Sequence, residues 1–492
     1  MSQSLNICAG YFSMDNTLRW LEPIGLSQTK PVTRIEPGVG ISVIDTQSND
    51  TLLHLKSEID KIHPIQIWDD AKKVTNPYEY IFLSLQKRMH RSIAAIAPLS
   101  RSYFKMIEIW DLLAFEIPAD GPLLTAHSAE GPGGFLEAIM HRVGNKQARM
   151  IAMTLRSTER TIPGWRKSNK FLSTYPTVHI TYGADNTGNL YSLANQSAFA
   201  ETSKTHLGAA AHLYTADGGF DFSADFNAQE NTVQRLLAAE ALCGLNVLRP
   251  GGTMILKIFD TKHVATLELL WILSSCFEQT ALTKPSTSRP ANSERYWVGA
   301  KLRPNLPAWI FDVLKELTAM DTAVGWNTIF EQLTIPPAWL AQIRQFQEEV
   351  EEQQIHNIQL TLNLIKQPSR SLVYALLLDN IKKSRVWCQS HGIRLNRQYS
   401  GISDEQIATS NLEEALEPFQ ASVARMNLLA LSRPSPMHHA SISAPSPLPL
   451  AGLAWRSTLP ASIRGPVASQ TASDTAPPSD SAQPECLPEE SL

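Results

Sequence analysis

The sequence has few cysteines and no long apolar run. Its cysteines lie far apart, form no CxxC pair and are odd in number: Cys8, Cys243, Cys276, Cys388 and Cys486. This pattern argues against a disulfide framework and against a cysteine zinc site, so we expect incidental thiols and no metal. The longest strongly apolar stretch, Leu267 to Phe277, is shorter than the ~20 residues that cross a bilayer, so no membrane helix is expected.

The chain also lacks the basic N-terminus of a secreted protein and the excess of basic residues typical of a nucleic-acid-binding protein. Its opening run, MSQSLNICAGYFSMDNTLRW, places no basic residue ahead of an apolar block, so we expect no cleaved secretory signal and a location inside a cell. The formal net charge is −4. The chain as a whole therefore does not indicate nucleic-acid binding, and any contact with RNA must come from local patches.

Two segments are locally basic. Residues 84–105 contain five Lys or Arg and no acidic residue, and residues 146–170 contain seven Lys or Arg against one acidic residue, Glu159. A run of charge is usually a solvated surface, and RNA binding is the other interpretation. Charge alone leaves both open.

Short apolar runs alternate with helical stretches from Leu123 to Lys301. This alternation predicts an α/β fold with a parallel sheet covered by helices. Apolar residues at helical spacing predict helices over Gly134 to Val143, Gln229 to Leu248 and Lys262 to Phe277. The predicted strands are, in chain order, LLTAHS, MIAMT, VHITY, HLYTA and TMILKI.

The flanking regions differ from this centre. The first 80 residues contain no motif that indicates a role, and after Pro304 long helical segments follow, such as Pro337 to Ile365. The last 60 residues hold 11 of the 31 prolines and cannot bury enough apolar surface to fold. We therefore divide the chain into an N-terminal region of unknown role, a central α/β domain, a helical C-terminal domain and a disordered tail: 1–80, 81–302, 303–430 and 431–492.

Two turns that follow predicted strands carry candidate ligand-binding residues. LLTAHS runs into AEGPGGF, residues 129–135, and glycines there let the backbone approach a ligand in the crevice of a doubly wound sheet. HLYTA is followed by ADGGF, whose Asp217 lies at the carboxyl end of a strand and so points into the same crevice. Each is also compatible with an ordinary tight turn, and the first lacks the GxGxxG spacing of dinucleotide binders.

Two further elements combine charge with a predicted strand. Lys257 interrupts the apolar strand ILKIF, where an ammonium is costly unless it is paired. A structural ion pair would also explain it. The run KPSTSRPANSERY, residues 284–296, lies between two strand-like segments and is more typical of a ligand-contacting loop than of a simple turn.

Together these elements resemble the FtsJ-like 2′-O-methyltransferases, most closely the mRNA cap methyltransferases of eukaryotes and large DNA viruses. The resemblance runs from about Tyr103 to Lys301. SAEGPGGFLEAI is similar to the family's cofactor loop, MTLR at 153–156 to its second-strand motif and ADGGF to its catalytic aspartate motif, while KPSTSRPANSERY is the most specific match. The resemblance implies a Rossmann-like methyltransferase sheet with helices on both faces.

The resemblance also implies a catalytic tetrad, which maps onto Lys105, Asp217, Lys257 and Glu294. A ribose 2′-hydroxyl is a poor nucleophile until its proton is removed, so the site needs a base, and Lys257 is the candidate. We expect Lys105, as a nearby like charge, together with partial burial, to keep the amine of Lys257 neutral often enough to accept a proton. Asp217 and Glu294 are expected to orient the two lysines.

S-adenosyl-L-methionine is the cofactor that the resemblance implies. The residues expected to bind it are Glu130, Gly131, Pro132, Gly133, Gly134, Phe135, Thr154, Leu155, Asn189 and Asp217. Asn189 stands where the family has an acidic residue after the third strand. An amide can still bond an adenine edge but brings no charge, so this departure bears on cofactor affinity more than on the type of reaction.

Capped mRNA is the substrate that the resemblance implies, methylated at the ribose 2′-hydroxyl of a cap-proximal nucleotide. The residues expected to contact RNA are Arg88, Arg91, Arg101, Arg156, Ser288, Arg289, Asn292 and Arg295. A 2′-O-methyltransferase of rRNA or tRNA and a non-catalytic RNA-binding subunit of a transcription or capping complex are the alternatives. The C-terminal region is a candidate for recruiting a polymerase or capping enzyme, in the cytoplasm if the protein is viral and in the nucleus if it is cellular.

Overall fold

A computed structural model describes residues 17–83, 92–144, 148–159, 162–220, 229–322 and 325–431, with the backbone alone at 418 and 420–431. The predicted tail and the predicted RNA contacts Arg88 and Arg91 lie outside the described residues. Among the described residues, none of the helices is both long enough and apolar enough to span a membrane.

Ten strands are present in the described chain. Their bounds are β1 Arg19–Trp20, β2 Thr33–Pro37, β3 Leu123–Ser128, β4 Ala148–Met153, β5 Val178–Thr181, β6 Ala211–Ala216, β7 Leu248–Ile258, β8 Phe277–Thr283, β9 Arg295–Leu302 and β10 Trp326–Phe330. Eight of them form one sheet in the order β1-β8-β9-β7-β6-β3-β4-β5, and β10 pairs with β2. All five predicted strands are confirmed, and β7 starts earlier than predicted, at Leu248.

The central strands β5, β4, β3, β6 and β7 pair in parallel, whereas β9 pairs antiparallel to both β7 and β8. The chain moves outward from β3 to β5 and then returns to place β6 on the other side of β3. This reversal opens a crevice at the carboxyl ends of the strands, where doubly wound sheets bind their ligands.

Twelve α-helices accompany the strands in the described residues. Their bounds are α1 Asn49–Asp60, α2 Gln66–Thr75, α3 Ser102–Leu112, α4 Gly134–Val143, α5 Asn169–Thr174, α6 Leu193–Leu207, α7 Gln229–Val247, α8 Val264–Cys276, α9 Ala308–Ala319, α10 Pro337–Lys366, α11 Arg370–Ser390 and α12 Asp404–Leu431. Two short 3₁₀ turns lie at Glu79–Ile81 and Arg397–Tyr399. The predicted helices correspond to α4, α7, α8 and α10, with ends that differ by at most two residues.

The sheet separates two hydrophobic cores. Alternate residues of each strand face opposite cores: Leu123 and Met150 lie in one, and Leu124 and Ile151 in the other. Helices therefore cover both faces, as predicted. The first core also contains residues of α1, α2, α10, α11 and α12, so helices from both ends of the described chain pack with α3 and α4. The four-part division of the sequence stays a prediction.

Candidate active site

The candidate site lies at the carboxyl edge of the sheet. Asp217 follows β6, Lys257 is the penultimate residue of β7, and Glu294 directly precedes β9. Because β9 runs antiparallel to β7, its first residues lie beside the last residues of β7, and Lys257 is directly opposite Tyr296. The helix α3 supplies Lys105 from the face that the first core covers.

The four side chains of the predicted tetrad converge. Lys105 Nζ lies 2.7 Å from Glu294 Oε1. Lys257 Nζ lies 3.3 Å from Asp217 Oδ1 and donates a hydrogen bond of 2.8 Å to the backbone oxygen of Asp217. Each of these side chains keeps only 11 to 14% of its surface exposed. The arrangement is two ion pairs whose side chains are largely buried but keep some contact with solvent.

The electrostatics of the tetrad differ from the expectation for Lys257. Burial acts to lower the pKa of Lys257, but Asp217, Glu294 and Glu240 together outweigh it, and the pKa lies above its ordinary value. Lys105, which was expected to act as a repelling charge, is instead paired with Glu294. The expectation of a frequently neutral Lys257 is therefore wrong for the protein without substrates.

Three lysines act on the carboxylate of Glu294. Burial acts to raise the pKa of Glu294, but Lys105, Lys257 and Lys284 outweigh burial and hold that pKa to about 2. Its Oε1 also accepts a hydrogen bond of 2.8 Å from Ser288 Oγ. Glu294 is thus ionised throughout the neutral range, with Lys105 in contact with it and Lys257 and Lys284 acting on it over longer distances.

The glycines of the loop after β3 are explained by contacts within the protein. A Cβ at Gly131 would lie 2.8 Å from the backbone of Gly164, and one at Gly134 would collide with the hydroxyl groups of Ser100 and Ser102, just before and at the start of α3. Gly133 has a φ of +102° and lies against Trp165. These absent side chains make room for neighbouring protein segments. Cofactor contact through the loop backbone stays a prediction.

The side chains of this loop turn inward. Glu130 is buried, and burial raises its pKa although His127 acts to lower it. Its Oε1 accepts a hydrogen bond from Thr215. Phe135 is fully buried with its ring centroid 5.9 Å from that of Tyr296. The ring of Phe135 therefore belongs to the core, and a cofactor contact by this residue stays a prediction.

The loops after β4 and β5 lie side by side. Gly188 has a φ of +68°, and a Cβ there would collide with the backbone oxygen of Thr154. The N–H of Arg156 donates to the backbone oxygen of Thr187 over 2.7 Å. These contacts place Thr154 and Leu155 next to the loop that carries Asn189, as the predicted cofactor set requires.

The same loop contains a carboxylate that the sequence comparison with the family pattern missed. Asp185 accepts hydrogen bonds from Thr187, 2.9 Å from the N–H and 2.6 Å from the hydroxyl. Asn189 uses its amide oxygen to accept the N–H of Tyr191 over 2.9 Å. The loop therefore has an acidic group, four residues before the position where the family pattern places it.

Two of the predicted RNA-contacting arginines share one buried carboxylate. Glu79 lies 3.6 Å from Arg101 Nη1 and 3.1 Å from Arg289 Nη2. Burial acts to raise the pKa of Glu79, but the two guanidinium groups hold it to about 2. Both arginines remain partly exposed beside the tetrad. Arg156 is exposed and its guanidinium lies 5.2 Å from the ring centroid of Tyr182.

The other three predicted RNA contacts are engaged within the protein. Ser288 is buried and donates to Glu294, and the half-buried Asn292 accepts from Lys284 Nζ over 3.1 Å through Oδ1. Arg295 is fully buried and bonds Asp260 Oδ1 at 2.9 Å and Gln347 Oε1 at 2.7 Å. The expectation for Arg295 is corrected, because a guanidinium with no exposed surface cannot reach a phosphate.

The sequence profile of the FtsJ-like methyltransferase family matches residues 98–302. These residues form an FtsJ-like methyltransferase domain. The match covers both the glycine loop and the tetrad, and its limits agree with the resemblance that runs from Tyr103 to Lys301. The family assignment made from the motifs is confirmed.

Curated relatives of the FtsJ-like domain fall into two groups. Two are named cap-specific mRNA (nucleoside-2′-O-)-methyltransferase 1: one from Drosophila melanogaster, 36% identical over 34% of this chain and 21% of its own, and one from Trypanosoma cruzi, 34% identical over 40% and 53%. A protein of African swine fever virus named "Probable methyltransferase" is 49% identical over 18% of this chain and 21% of its own. The chain thus spans between a fifth and about half of the length of these relatives.

Two residues of the FtsJ-like domain complete the site without having been predicted. Tyr296 donates its hydroxyl to Asp217 Oδ1 over 2.8 Å. Glu240, on α7, is buried beneath Gly218, where a Cβ would collide with its Oε1. Residues two apart on a strand face the same side, so the sequence places Tyr296 on the same face as Glu294 and could have indicated its role. No comparable signal marks Glu240.

The buried Arg295 gives a test of how this edge of the FtsJ-like domain is held. Arg295→Met removes the partner of Asp260, whose pKa the guanidinium helps to hold to about 2 against burial. Because an unpaired charge then remains buried, we expect a loss of about 3–5 kcal/mol in the free energy of unfolding, measured by urea denaturation. The control is Arg344→Met on the exposed side of α10, which should not move the midpoint. Equal midpoints for both variants would contradict a structural role for Arg295.

Proposed function

We propose that the FtsJ-like domain transfers a methyl group from S-adenosylmethionine to the 2′-hydroxyl of a cap-proximal nucleotide in mRNA. The observation that carries this proposal is the tetrad: two lysines and two carboxylates, paired with one another, at the carboxyl edge of a doubly wound sheet. Both cellular relatives are named as cap-specific mRNA methyltransferases, which supports the choice of substrate.

The residues at this edge suit S-adenosylmethionine. Glu130 and Asp217 bring acidic groups to it, and Glu130 Oε2 is buried without a hydrogen bond although His127 Nδ1 lies 3.2 Å away. Acidic groups favour a cation such as sulfonium. Thr154 and the exposed side chain of Leu155 join the loop of Asn189 in a mixed polar and apolar wall of the kind that binds an adenosine.

The proposed chemistry assigns a separate task to each member of the tetrad. When bound, S-adenosylmethionine supplies a methyl group on a positively charged sulfur. Lys257 removes the proton of the ribose hydroxyl, and Asp217 orients the Lys257 amine through the contacts at 3.3 and 2.8 Å. Lys105 and Glu294 hold the acceptor nucleotide and balance the charge of the pocket. Much of the rate then comes from placing two reactants in line.

The raised pKa of Lys257 is compatible with this role once substrates are bound. A positive charge placed beside an ammonium group disfavours its protonated form. Binding of a sulfonium compound at the edge therefore lowers the pKa of Lys257 from its raised starting point. The carboxylates keep the amine of Lys257 oriented before binding, and with the cofactor in place Lys257 would lose its proton to solvent more readily.

The partly exposed arginines are suited to the phosphates of the RNA. Arg101 and Arg289 lie beside the tetrad with their orientation fixed by Glu79, and Arg156 follows strand β4, which is separated from β6 by β3. Arginine binds phosphate through paired N–H groups, and such contacts position RNA without reading its sequence. We propose these three residues, with Arg88 and Arg91, as the phosphate contacts.

The decisive experiment compares short RNAs of one sequence that differ only at the 5′ end. We expect methyl transfer to RNA with a methylated cap to exceed transfer to uncapped RNA by on the order of ten-fold or more, because a site built around a substrate group discriminates against its absence. The product is located by alkaline hydrolysis, since a 2′-O-methyl group blocks cleavage at the modified nucleotide.

Two outcomes would contradict the proposal in different ways. Equal rates on capped and uncapped RNA would show that the enzyme does not recognise the cap, and would favour rRNA or tRNA as the substrate. Absence of both methyl transfer and S-adenosylmethionine binding, the latter measured by calorimetry, would favour a non-catalytic RNA-binding subunit.

A further inference from the structure

Lys284 is a buried lysine that the tetrad does not include. It directly follows β8, at the start of the loop that leads to Glu294 and β9. Its Nζ lies 2.8 Å from the backbone oxygens of both Asn292 and Glu294, 3.1 Å from Asn292 Oδ1 and 3.4 Å from Ser288 Oγ. One ammonium group thus binds the far end of its own loop at several points.

We propose that Lys284 is a positioning residue, whose ammonium group fastens residues 288–294 and so places the carboxylate of Glu294 between Lys105 and Lys257. This inference rests on the proposed function. It concerns only how the carboxylate of Glu294 is held in place, and it assigns Lys284 no contact with either substrate.

The number of acceptors around Lys284 Nζ matches the number of donors on a protonated amine. Three oxygens lie within 3.1 Å of Nζ. An ammonium has three N–H donors, whereas a neutral amine has two. Among the described residues, no carboxylate oxygen lies within ion-pairing distance of this Nζ, so its charge acts on carbonyl dipoles. A neutral side chain of the same length could not satisfy the same set.

Lys284 controls Glu294 by two routes. It holds the backbone oxygen of Glu294 directly, and it contacts Ser288, whose hydroxyl donates to Glu294 Oε1 over 2.8 Å. The opposite side of the loop is fixed by Glu108, which accepts the N–H groups of Ser286 and Thr287 at 2.7 and 2.8 Å. With both sides of the loop fastened, the carboxylate of Glu294 has little freedom to turn away from Lys105.

Stability does not explain why a cation occupies this position. Burial lowers the pKa of Lys284 to about 7, with Arg295 and Lys105 acting in the same direction and Glu294 against it. A buried charge of this kind adds little or nothing to stability compared with an apolar side chain. Its value therefore lies in the geometry that it imposes on the loop.

The test is Lys284→Met, assayed with the capped RNA on which the wild-type protein is active. Because a displacement of about 1 Å can cost ~10²-fold in rate, we expect kcat to fall by about 10²-fold while the Kd for S-adenosylmethionine stays within about two-fold. Amide hydrogen exchange, which needs no substrate, should become faster over residues 286–295 alone. The control is Lys301→Met, an exposed lysine at the far end of β9.

Ser288→Ala keeps the inference testable if Lys284→Met does not fold. It removes the hydroxyl that Lys284 places against Glu294, and we expect a loss of about ten-fold in kcat with unchanged cofactor affinity, since one hydrogen bond to a charged group is lost. Wild-type kcat in whichever of the two variants folds would overturn the inference. An inactive wild-type protein would instead remove the proposed function, so the two failures are distinguishable.

Discussion

We expect the replacement of Lys257 with methionine to lower the rate of the proposed methyl transfer to capped RNA by about 10³-fold, the range expected when a positioned base is removed. Methionine keeps the length of the lysine stem and can pack against Phe259, whose ring lies 6.0 Å from Nζ. It cannot accept the proton of the ribose hydroxyl. The measurement is kcat at saturating substrates, together with the affinity for S-adenosylmethionine, which should change far less than the rate.

A variant with a lysine removed elsewhere provides the control for this prediction. Lys315→Met removes an exposed lysine of α9 that is remote from the tetrad, and it should leave kcat unchanged. Circular dichroism melting separates lost chemistry from lost folding. If Lys257→Met retained the wild-type rate in a folded protein, Lys257 would not be the base and the assignment of roles within the tetrad would have to be abandoned.

The strand pattern of the sequence was sufficient to predict where Asp217 and Lys257 lie, whereas Lys105 and Glu294 came from the family resemblance. Asp217 and Lys257 stand at the carboxyl ends of buried strands, and parallel strands bring such positions to a common edge. The strands were predictable because they are short apolar runs between turns, as in β3, where all six residues are buried. Strand order along the sheet then places the loops of β3 and β6 next to each other.

Pairing within the site was not predictable in the same way. Lys105 was expected to repel Lys257, yet it lies against Glu294, and this choice depends on how α3 approaches the start of β9. Whether a lysine is neutral or charged follows from its nearest partners in space. Sequence spacing does not contain that information for residues that are far apart in the chain.

The two arginines of the KPSTSRPANSERY run show a second limit. Both are basic residues of one polar loop, but Arg289 is partly exposed beside Glu79, and Arg295 is fully buried against Asp260. Arg295 is the first residue of β9, and successive residues of a strand face opposite sides. A shift of one residue in the start of that strand would have exchanged the faces, and the sequence does not fix the start this closely.

The region before the FtsJ-like domain illustrates a third limit. Glu79 lies in a segment without a recognisable motif, yet it binds Arg101 and Arg289 next to the tetrad. Its partner Arg289 is 210 residues away along the chain. An isolated acidic residue has no local signature of such a role, so only the packing of the chain reveals it.

Replacing Glu294 with glutamine produces the second large effect, a loss of about 10²-fold in kcat accompanied by a shift of the pH profile. Glu294 acts to raise the pKa of Lys257. Its removal lowers that pKa, so the rising limb of the rate, which reports deprotonation of the base, moves to lower pH. The rising limb of kcat should also lie at lower pH than the rising limb of kcat/KM. Only kcat reports the complex in which the sulfonium is already bound.

Stability provides an independent readout for the same substitution. The pKa of Glu294 is held to about 2 in the folded protein, below its ordinary value of 4.5. Above pH 4.5 the unfolded and folded chains both carry the charge, and the stabilisation by its lysine partners is fully present. Between pH 4.5 and about 2 the unfolded chain binds more protons, so the stabilisation is lost as the pH falls. We therefore expect wild type and Glu294→Gln to differ in urea midpoint at pH 7 and to approach each other below pH 4.

The direction of the kinetic shift separates two possible tasks of Glu294. If the rate falls and the rising limb moves to lower pH, Glu294 sets the charge of Lys257 as well as the orientation of Lys105. A fall in rate with an unmoved limb would contradict the first task and leave only the second. Glu316→Gln, an exposed residue of α9, should change neither the rate nor the limb. Because Glu294 touches Lys105 and Ser288 but acts on Lys257 through its field, only the pH profile can report on that longer-range interaction.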